Sequence, residues 1–153
     1  MPNVSLSVPH FRQEHEYSCV AACVRMVLAF HGRPSSEADL RQLLGTGPSG
    51  TPARNVFRVA SLGFDVQLVP SNVALLATAL AAGTPPIVFF ETGPLDYWQV
   101  DCAHLAVLVG LEDTTVLLND PYFDTAPQRT SLTSFLKAWA TTGQLTALIG
   151  PRP

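Results

Sequence analysis

Apolar residues recur at helical spacing near the start of the chain. From Cys19 to Phe30 they form one stripe, which indicates a helix with a single buried face. Ser18 is a suitable residue to cap the first turn, and Gly32 followed by Pro34 predicts the end of the helix. The pattern therefore predicts a long first helix that begins at the first cysteine of the chain.

Further helices are predicted from residues that favour helix ends. Ser36 precedes one segment, the Thr51-Pro52 pair precedes another, and Gly63 and Gly83 are placed to end two of them. The predicted segments run over 36–44, 52–63, 72–82 and 132–141. Helical signals thus dominate the first half of the chain.

Short apolar segments bounded by turn residues predict strands in the second half. They run over 64–69, 87–90, 103–111, 115–118 and 145–149. A reversal near Glu112 and Asp113 would join two of these strands into a hairpin. Because helices precede mostly antiparallel strands, we expect an α+β fold. No repeat or charge block marks a boundary, so one domain over 1–153 is predicted.

Composition and charge exclude several classes of protein. Apolar residues make up 47% and charged residues 14% of the chain, so it is expected to fold around a core. The net charge is −3 and the basic residues are scattered, which argues against nucleic acid as a partner. The N-terminal run lacks the features of a signal peptide, and no apolar run is long enough to span a bilayer. We therefore expect a cytoplasmic protein without a membrane segment.

The chain has three cysteines, an odd number that argues against a disulfide framework. Cys19 is placed at the start of the first long helix, where unpaired N–H groups and the helix dipole favour a thiolate. A thiolate is the form of cysteine that attacks a carbonyl. The alternative is a buried packing residue, because Cys19 lies on the apolar stripe.

Two further groups have the chemistry to assist a thiol. His104 lies within an otherwise apolar strand, where an imidazole is costly without a partner or a task. Asp120 follows the next strand, and the predicted hairpin places it opposite His104 or one step off. A satisfied core histidine and a simple turn at a strand end are the alternatives.

Gln13 precedes Cys19 by six residues. A side-chain amide there could donate a hydrogen bond to the oxyanion that forms on an attacked carbonyl. Taken singly, Gln13 is an ordinary surface residue. Together with Cys19, His104 and Asp120, however, it completes a set of nucleophile, base, orienting acid and oxyanion donor.

Several runs of the chain resemble the bacteriocin-processing, double-glycine leader peptidases of the papain-like superfamily. The similarity covers nearly the whole chain, and its pieces match in order and spacing. They are Val8-Pro-His-Phe-Arg-Gln13, Tyr17-Ser-Cys19-Val-Ala-Ala-Cys-Val-Arg-Met26, Gly63-Phe64, His104-Leu-Ala-Val-Leu-Val-Gly110 and Asn119-Asp120-Pro121.

The resemblance implies a papain-like fold with N-terminal helices packed on the sheet. It implies a cysteine peptidase in which Cys19 is the nucleophile, His104 the general base and acid, Asp120 the orienting residue and Gln13 an oxyanion donor. No metal or organic cofactor is implied. The substrate would be a peptide or protein with small residues before the cut. The resemblance also implies association with a transporter, with this chain as a stand-alone member of the family.

One residue departs from the family pattern. The position after the nucleophile is usually Gly in the family, whereas this chain has Val20. Its backbone N–H can still point inward, but we expect the added side chain to narrow the cleft or alter substrate choice.

Competing interpretations remain open at the level of sequence. Cys19, Cys23, Cys102 and His104 could form a Cys₃His zinc site, although the spacing lacks a Cys-x-x-Cys pair and leaves Gln13 and Asp120 unexplained. His15 is a rival base. The same constellation would also suit an acyltransferase or transglutaminase-like enzyme, and the fold would suit a peptide-binding module that does not cut.

Two segments are expected near the cleft. The glycine-rich connection 45–51 lacks the ending of a phosphate-binding loop and is interpreted as a flexible connection beside the cleft. Five aromatic residues are candidates for the cleft walls: Phe90, Tyr97, Trp98, Tyr122 and Phe123.

Overall fold

The structure is a computed structural model that describes residues 3–153. Met1 and Pro2, the first residues of the predicted domain, lie outside that range. The described helices are α1 (Cys19–Phe30), α2 (Glu37–Leu44), a 3-10 helix (Ala53–Leu62), α3 (Val73–Ala81) and α4 (Leu132–Ala140). All the predicted helical segments are therefore confirmed, with the difference that the one after Pro52 is a 3-10 helix.

Local hydrogen bonds explain where most helices begin. The Ser36 hydroxyl accepts the Asp39 N–H at the start of α2, and the Asn72 side chain accepts the Leu75 N–H at the start of α3. Ser18 occupies the cap position of α1 as predicted, but its side chain makes no capping hydrogen bond. The Ser18 hydroxyl oxygen instead accepts the His15 N–H in the loop before the helix.

Within residues 3–153, seven antiparallel strands form one sheet. They are β1 (Val4–Ser5), β2 (Phe64–Pro70), β3 (Ile87–Glu91), β4 (Ala103–Glu112), β5 (Thr115–Asn119), β6 (Gln128–Ser131) and β7 (Leu145–Pro151). Their order is β2-β7-β3-β4-β5-β6, and β1 pairs with the end of β4. The pattern of apolar residues did not predict β1 and β6, because β1 has only two residues and β6 is polar.

Helices cover both faces of the sheet. Leu105 and Val107 of β4 face a core shared with α1 and α2, whereas Ala106 and Leu108 face a core shared with α3 and α4. This alternation is what a strand buried on both sides requires. The α+β class and the antiparallel sheet are confirmed, and one domain over 1–153 stays a prediction. No helix in the described part of the chain has the length and hydropathy needed to cross a membrane.

The hairpin of β4 and β5 sets the position of Asp120. Its turn lies at 113–114, so that Glu112 pairs with Thr115, and a bulge follows before Val107 pairs with Asn119. The next residue, Asp120, is therefore diagonal to His104 rather than opposite it or one step off. The predicted register of Asp120 relative to His104 was wrong because β4 extends to Glu112, so that the turn comes later in the chain than predicted. A diagonal residue on the same face is still within reach of a long side chain.

Candidate active site

Cys19 is the first residue of α1 and is half-buried. It opens onto a cavity of about 290 Å³. The other residues that line this cavity are Glu16, Tyr17, Pro48, Ser49, Gly50 and Ala103. The connection 45–51 therefore borders the thiol as predicted, and paired backbone hydrogen bonds between Gly47 and Gly50 give it a defined turn.

His104 lies on β4 with only 8% of its surface exposed. Aromatic rings enclose the imidazole: the ring centroid of Trp98 lies 5.1 Å away, that of Phe90 6.0 Å and that of Tyr122 6.5 Å. Phe90 is itself buried in the core, so it is not a cleft wall. Tyr122 is exposed and lines a second cavity, which it shares with Gln13.

The His104 ring is bonded to Asp120 through one of its two nitrogens. Nε2 lies 2.7 Å from Oδ1 of Asp120, which leaves Nδ1 as the nitrogen available to the Cys19 thiol. Burial by itself lowers the pKa of His104, but the hydrogen bonds to Asp120 and Cys19 and the charges of both raise it to about 9. The structure thus brings Cys19 and Asp120 near enough to His104 for both to raise the pKa of its ring.

Asp120 is fully buried and accepts four hydrogen bonds. Oδ1 accepts His104 and the backbone N–H of Tyr122 at 3.0 Å, and Oδ2 accepts the Tyr97 hydroxyl at 2.8 Å and the Trp98 indole N–H at 2.9 Å. Burial by itself raises the pKa of Asp120, but these donors and the charge of His104 hold it below its ordinary value. The carboxylate is therefore ionised and fixed in orientation.

The roles of Tyr97 and Trp98 were not identified from the sequence, which gave them only as candidate cleft walls. The signal was present, since adjacent aromatic residues with polar tips suit a buried acceptor that needs donors. What the sequence does not show is that the loop 92–102 folds over Asp120. Asp96 ties this loop to the start of α4 by accepting the Ser131 N–H at 2.7 Å and the Ser134 hydroxyl at 2.8 Å.

Gln13 lies in the loop of residues 13–18 that leads to Cys19, called the 13–18 loop below. Its Nε2 donates to the carbonyls of His15 at 2.8 Å and Glu16 at 3.2 Å, and its Oε1 is buried without a hydrogen-bond partner in the part of the chain that the structure describes. Its backbone N–H donates to the Pro121 carbonyl at 2.7 Å, which links this loop to the residue after Asp120. The side-chain amide is therefore turned toward its own loop.

The alternative zinc site is not assembled. Cys23 is buried in the core with its Sγ 3.8 Å from the Leu105 carbonyl, and burial raises its pKa, so it stays a thiol. Cys102 is exposed beside the Thr92 hydroxyl, 3.6 Å away. Among residues 3–153, no three His, Cys, Asp or Glu side chains are grouped so that they could hold a metal ion.

Two other expectations are corrected or narrowed. The Val20 side chain is 4% exposed and packs in the core beneath α1, so it does not narrow the cleft as expected. The rival base His15 is exposed and stacks on the Tyr17 ring, with centroids 5.0 Å apart. The Ser18 hydroxyl and the His15 backbone lie 3.0 Å apart, which closes the turn before α1.

Solved structures with the same fold include three peptidase domains. The peptidase domain of Streptococcus ComA, described as a bi-functional ABC transporter involved in a quorum sensing pathway, is 23% identical over 95% of this chain and 100% of its own, with a TM-score of 0.79. A double glycine motif protease from an AMS/PCAT transporter, solved with the leader peptide, is 19% identical over 97% and 95%, with a TM-score of 0.77. A putative C39-like peptidase from Bacillus anthracis is 16% identical over 99% of both chains, with a TM-score of 0.80.

Sequence comparison extends this likeness from fold to family. No curated protein sequence matches the chain. The model of the Peptidase C39 family, in contrast, matches residues 7–148, which include the 13–18 loop, α1 and the whole β4–β5 hairpin. The chain therefore belongs to the Peptidase C39 family and is a cysteine peptidase.

Proposed function

We propose that this peptidase cuts its substrate through a covalent acyl-enzyme, with Cys19 as nucleophile, His104 as general base and acid, and Asp120 as the orienting residue. The observation that carries the proposal is the buried imidazole of His104, which is bonded to the Asp120 carboxylate at Nε2 and lies near enough to the Cys19 thiol for that group to raise its pKa. This is the geometry that activates a nucleophile beside a base held by a third group.

Transfer of the Cys19 proton to Nδ1 of His104 forms the reactive pair, a thiolate and an imidazolium, before the substrate is attacked. The start of α1 supports the thiolate because its unpaired N–H groups carry partial positive charge. The ionised Asp120 stabilises the imidazolium from the other side. The thiolate then attacks the peptide carbonyl carbon, so that a C–S bond forms and the carbonyl π electrons move to oxygen.

The oxyanion formed in this way needs hydrogen-bond donors. The Cys19 backbone N–H, at the first position of α1, supplies one. Gln13 supplies the second by giving up one of its two carbonyl partners. We expect it to release the Glu16 carbonyl, since that bond of 3.2 Å is longer than the 2.8 Å bond to His15.

Two proton transfers by His104 complete the cycle. The imidazolium gives its proton to the amine as the C–N bond breaks, which leaves a thioester on Cys19. The neutral imidazole then takes a proton from water, whose oxygen bonds to the carbonyl carbon, and the C–S bond breaks to restore the thiolate. The protons balance without a metal or organic cofactor.

We propose a peptide substrate with small residues before the cut, such as a leader peptide presented beside a transporter. The family resemblance supports this choice, and so does the cavity beside Cys19, where Gly50 and Ala103 add almost no side-chain bulk. The transporter-associated relatives with this fold support the kind of partner.

The test uses peptides that differ only in the two residues before the expected cut: Gly-Gly, Gly-Ala or Leu-Leu. We expect cleavage of the first two, and a covalent adduct on Cys19 that mass spectrometry detects. Cys19→Ala should abolish turnover without changing the unfolding curve. In H₂¹⁸O the new carboxylate should gain ¹⁸O. Transfer to an added amine without ¹⁸O would instead identify an acyltransferase, and binding without cleavage would identify a peptide-binding module.

A further inference from the structure

Glu37, the first residue of α2, is a buried carboxylate that the proposed chemistry does not use. Only 1% of its surface is exposed, and a buried carboxylate is rarely kept without a set of donors. Oε1 accepts the Glu14 backbone N–H at 3.0 Å and the Ser18 hydroxyl at 3.1 Å, and Oε2 accepts Nε of Arg41 at 3.0 Å. Two of the three donors belong to the 13–18 loop.

The contacts of Glu37 continue through Ser18 to Gln13. The Ser18 oxygen lies within 3.1 Å of Glu37 and 3.0 Å of the His15 carbonyl, and its single proton favours the charged acceptor. The same oxygen accepts the His15 N–H, while the His15 carbonyl accepts Nε2 of Gln13. The carboxylate on α2 is thus connected to the Gln13 amide through two residues.

We infer that Glu37 is a positioning residue of the active site: it holds the 13–18 loop so that Gln13 and Cys19 keep the relative geometry needed to stabilise the oxyanion. The inference rests on the proposed function of Cys19 and Gln13. Another link between α2 and this loop, from Arg41 to the Glu14 carboxylate at 3.2 Å, is partly exposed and contributes little by comparison. The opposite side of the loop is held by Gln13 N–H on Pro121.

The test compares Glu37→Gln with Asp39→Asn. Glu37→Gln keeps the shape but removes the charge that Ser18, Glu14 and Arg41 share. Asp39→Asn makes the same charge change two positions further along α2, on an exposed residue. Since misplacing a catalytic group by about 1 Å can cost about 100-fold in rate, we expect Glu37→Gln to lower kcat about 10- to 100-fold with KM changed less than about threefold. Asp39→Asn should match the wild type.

A double-mutant cycle separates positioning from a general effect on stability. If Glu37 acts through Gln13, then Gln13→Ala combined with Glu37→Gln should be little slower than Gln13→Ala alone. The inference would be overturned if the loss of kcat in the double variant equalled the product of the two single losses. It would also be overturned if Glu37→Gln lowered the unfolding temperature but kept the wild-type kcat per folded molecule. If Glu37→Gln does not fold, Ser18→Ala is measured in its place. A wild-type kcat in Ser18→Ala would overturn the inference, whereas a lower kcat that Gln13→Ala does not lower much further would support it. Turnover by Cys19→Ala would refute the proposed function itself, which is a separate outcome.

Discussion

Asp120 lies diagonally across the β4–β5 hairpin from His104, and its Oδ1 is 2.7 Å from the Nε2 of that ring. Both side chains are removed from solvent, so the attraction between a carboxylate and an imidazolium is only weakly screened. A buried ion pair that loses one member leaves the other uncompensated. A change at either of these two residues is therefore expected to impair the proposed mechanism.

Asp120→Asn tests this relationship directly. The amide keeps the shape of the side chain but cannot stabilise the imidazolium, and it can hold the ring in the wrong tautomer. We expect kcat to fall about 10⁴-fold with KM nearly unchanged, as in protease triads that lose the orienting acid. Steady-state kinetics on a cleavable peptide, with the unfolding curve as a control for folding, measures this. A variant within threefold of the wild type would contradict the proposed role.

The raised pKa of His104 predicts a limb in the pH profile. The reactive pair of thiolate and imidazolium needs a protonated ring, so kcat/KM should fall as pH rises through about 9, the pKa of His104 in the folded protein. In Asp120→Asn the limb should move to lower pH because the carboxylate that raises the pKa is gone. An activity that stays constant to pH 10, or a limb that the substitution does not move, would be inconsistent with this pair.

The same pKa gives folding stability a pH dependence of definite sign. The folded pKa of about 9 lies above the value of about 6.5 expected in the unfolded chain. Protonation of His104 therefore contributes its full stabilisation below about pH 6.5, and this contribution is lost as pH rises through about 9. Urea unfolding of the wild type at pH 6.5 and pH 10 should show the loss, and His104→Gln should show a smaller difference between the two pH values.

Trp98 and Tyr97 each donate one hydrogen bond to Oδ2 of Asp120. Removing either bond should weaken the hold of Asp120 on the His104 ring. Trp98→Phe and Tyr97→Phe keep most of the ring packing but leave a buried carboxylate oxygen with one donor fewer. Loss of a hydrogen bond to a charged group costs about 1.5–3 kcal/mol, so we expect kcat to fall about 10- to 100-fold for each variant. In an Asp120→Asn background the same substitutions should have little further effect. Full additivity would mean that these residues do not act through Asp120.

Much of this arrangement could be predicted from the sequence, because the strongest signals are local. The helix that starts at Cys19 follows from apolar spacing and from Gly32 and Pro34. The strand that carries His104 follows from its unbroken apolar run. Gln13, Cys19, His104 and Asp120 were predicted as site residues from motif spacing, and the structure bonds His104 to Asp120.

What the sequence could not supply depends on contacts between distant segments. The bulge between Leu108 and Gly110 and the late turn of the hairpin change the register without any clear local signal. In the sequence, Glu37 has the features of an ordinary acidic residue in the first turn of a helix, where a negative charge is favourable because of the helix dipole. Only the packing of α2 against the 13–18 loop shows that its carboxylate is buried.

The three cysteines give a direct test of which thiol is the nucleophile. Cys23 is fully buried, Cys102 is exposed and Cys19 is half-buried, so access alone predicts that Cys102 reacts fastest with iodoacetamide. The proposed pairing with His104 predicts the opposite order at pH 7, because a thiolate reacts and a thiol does not. We expect Cys19 to be labelled at least about tenfold faster than Cys102, with Cys23 protected until the protein unfolds. Peptide mapping by mass spectrometry gives the three rates in one experiment. Cys102→Ser should leave the labelling rate of Cys19 unchanged. His104→Gln should slow the labelling of Cys19 to the rate of the exposed Cys102 or below it. Equal rates for Cys19 and Cys102 in the wild type would remove the activated thiolate from which the proposed chemistry starts.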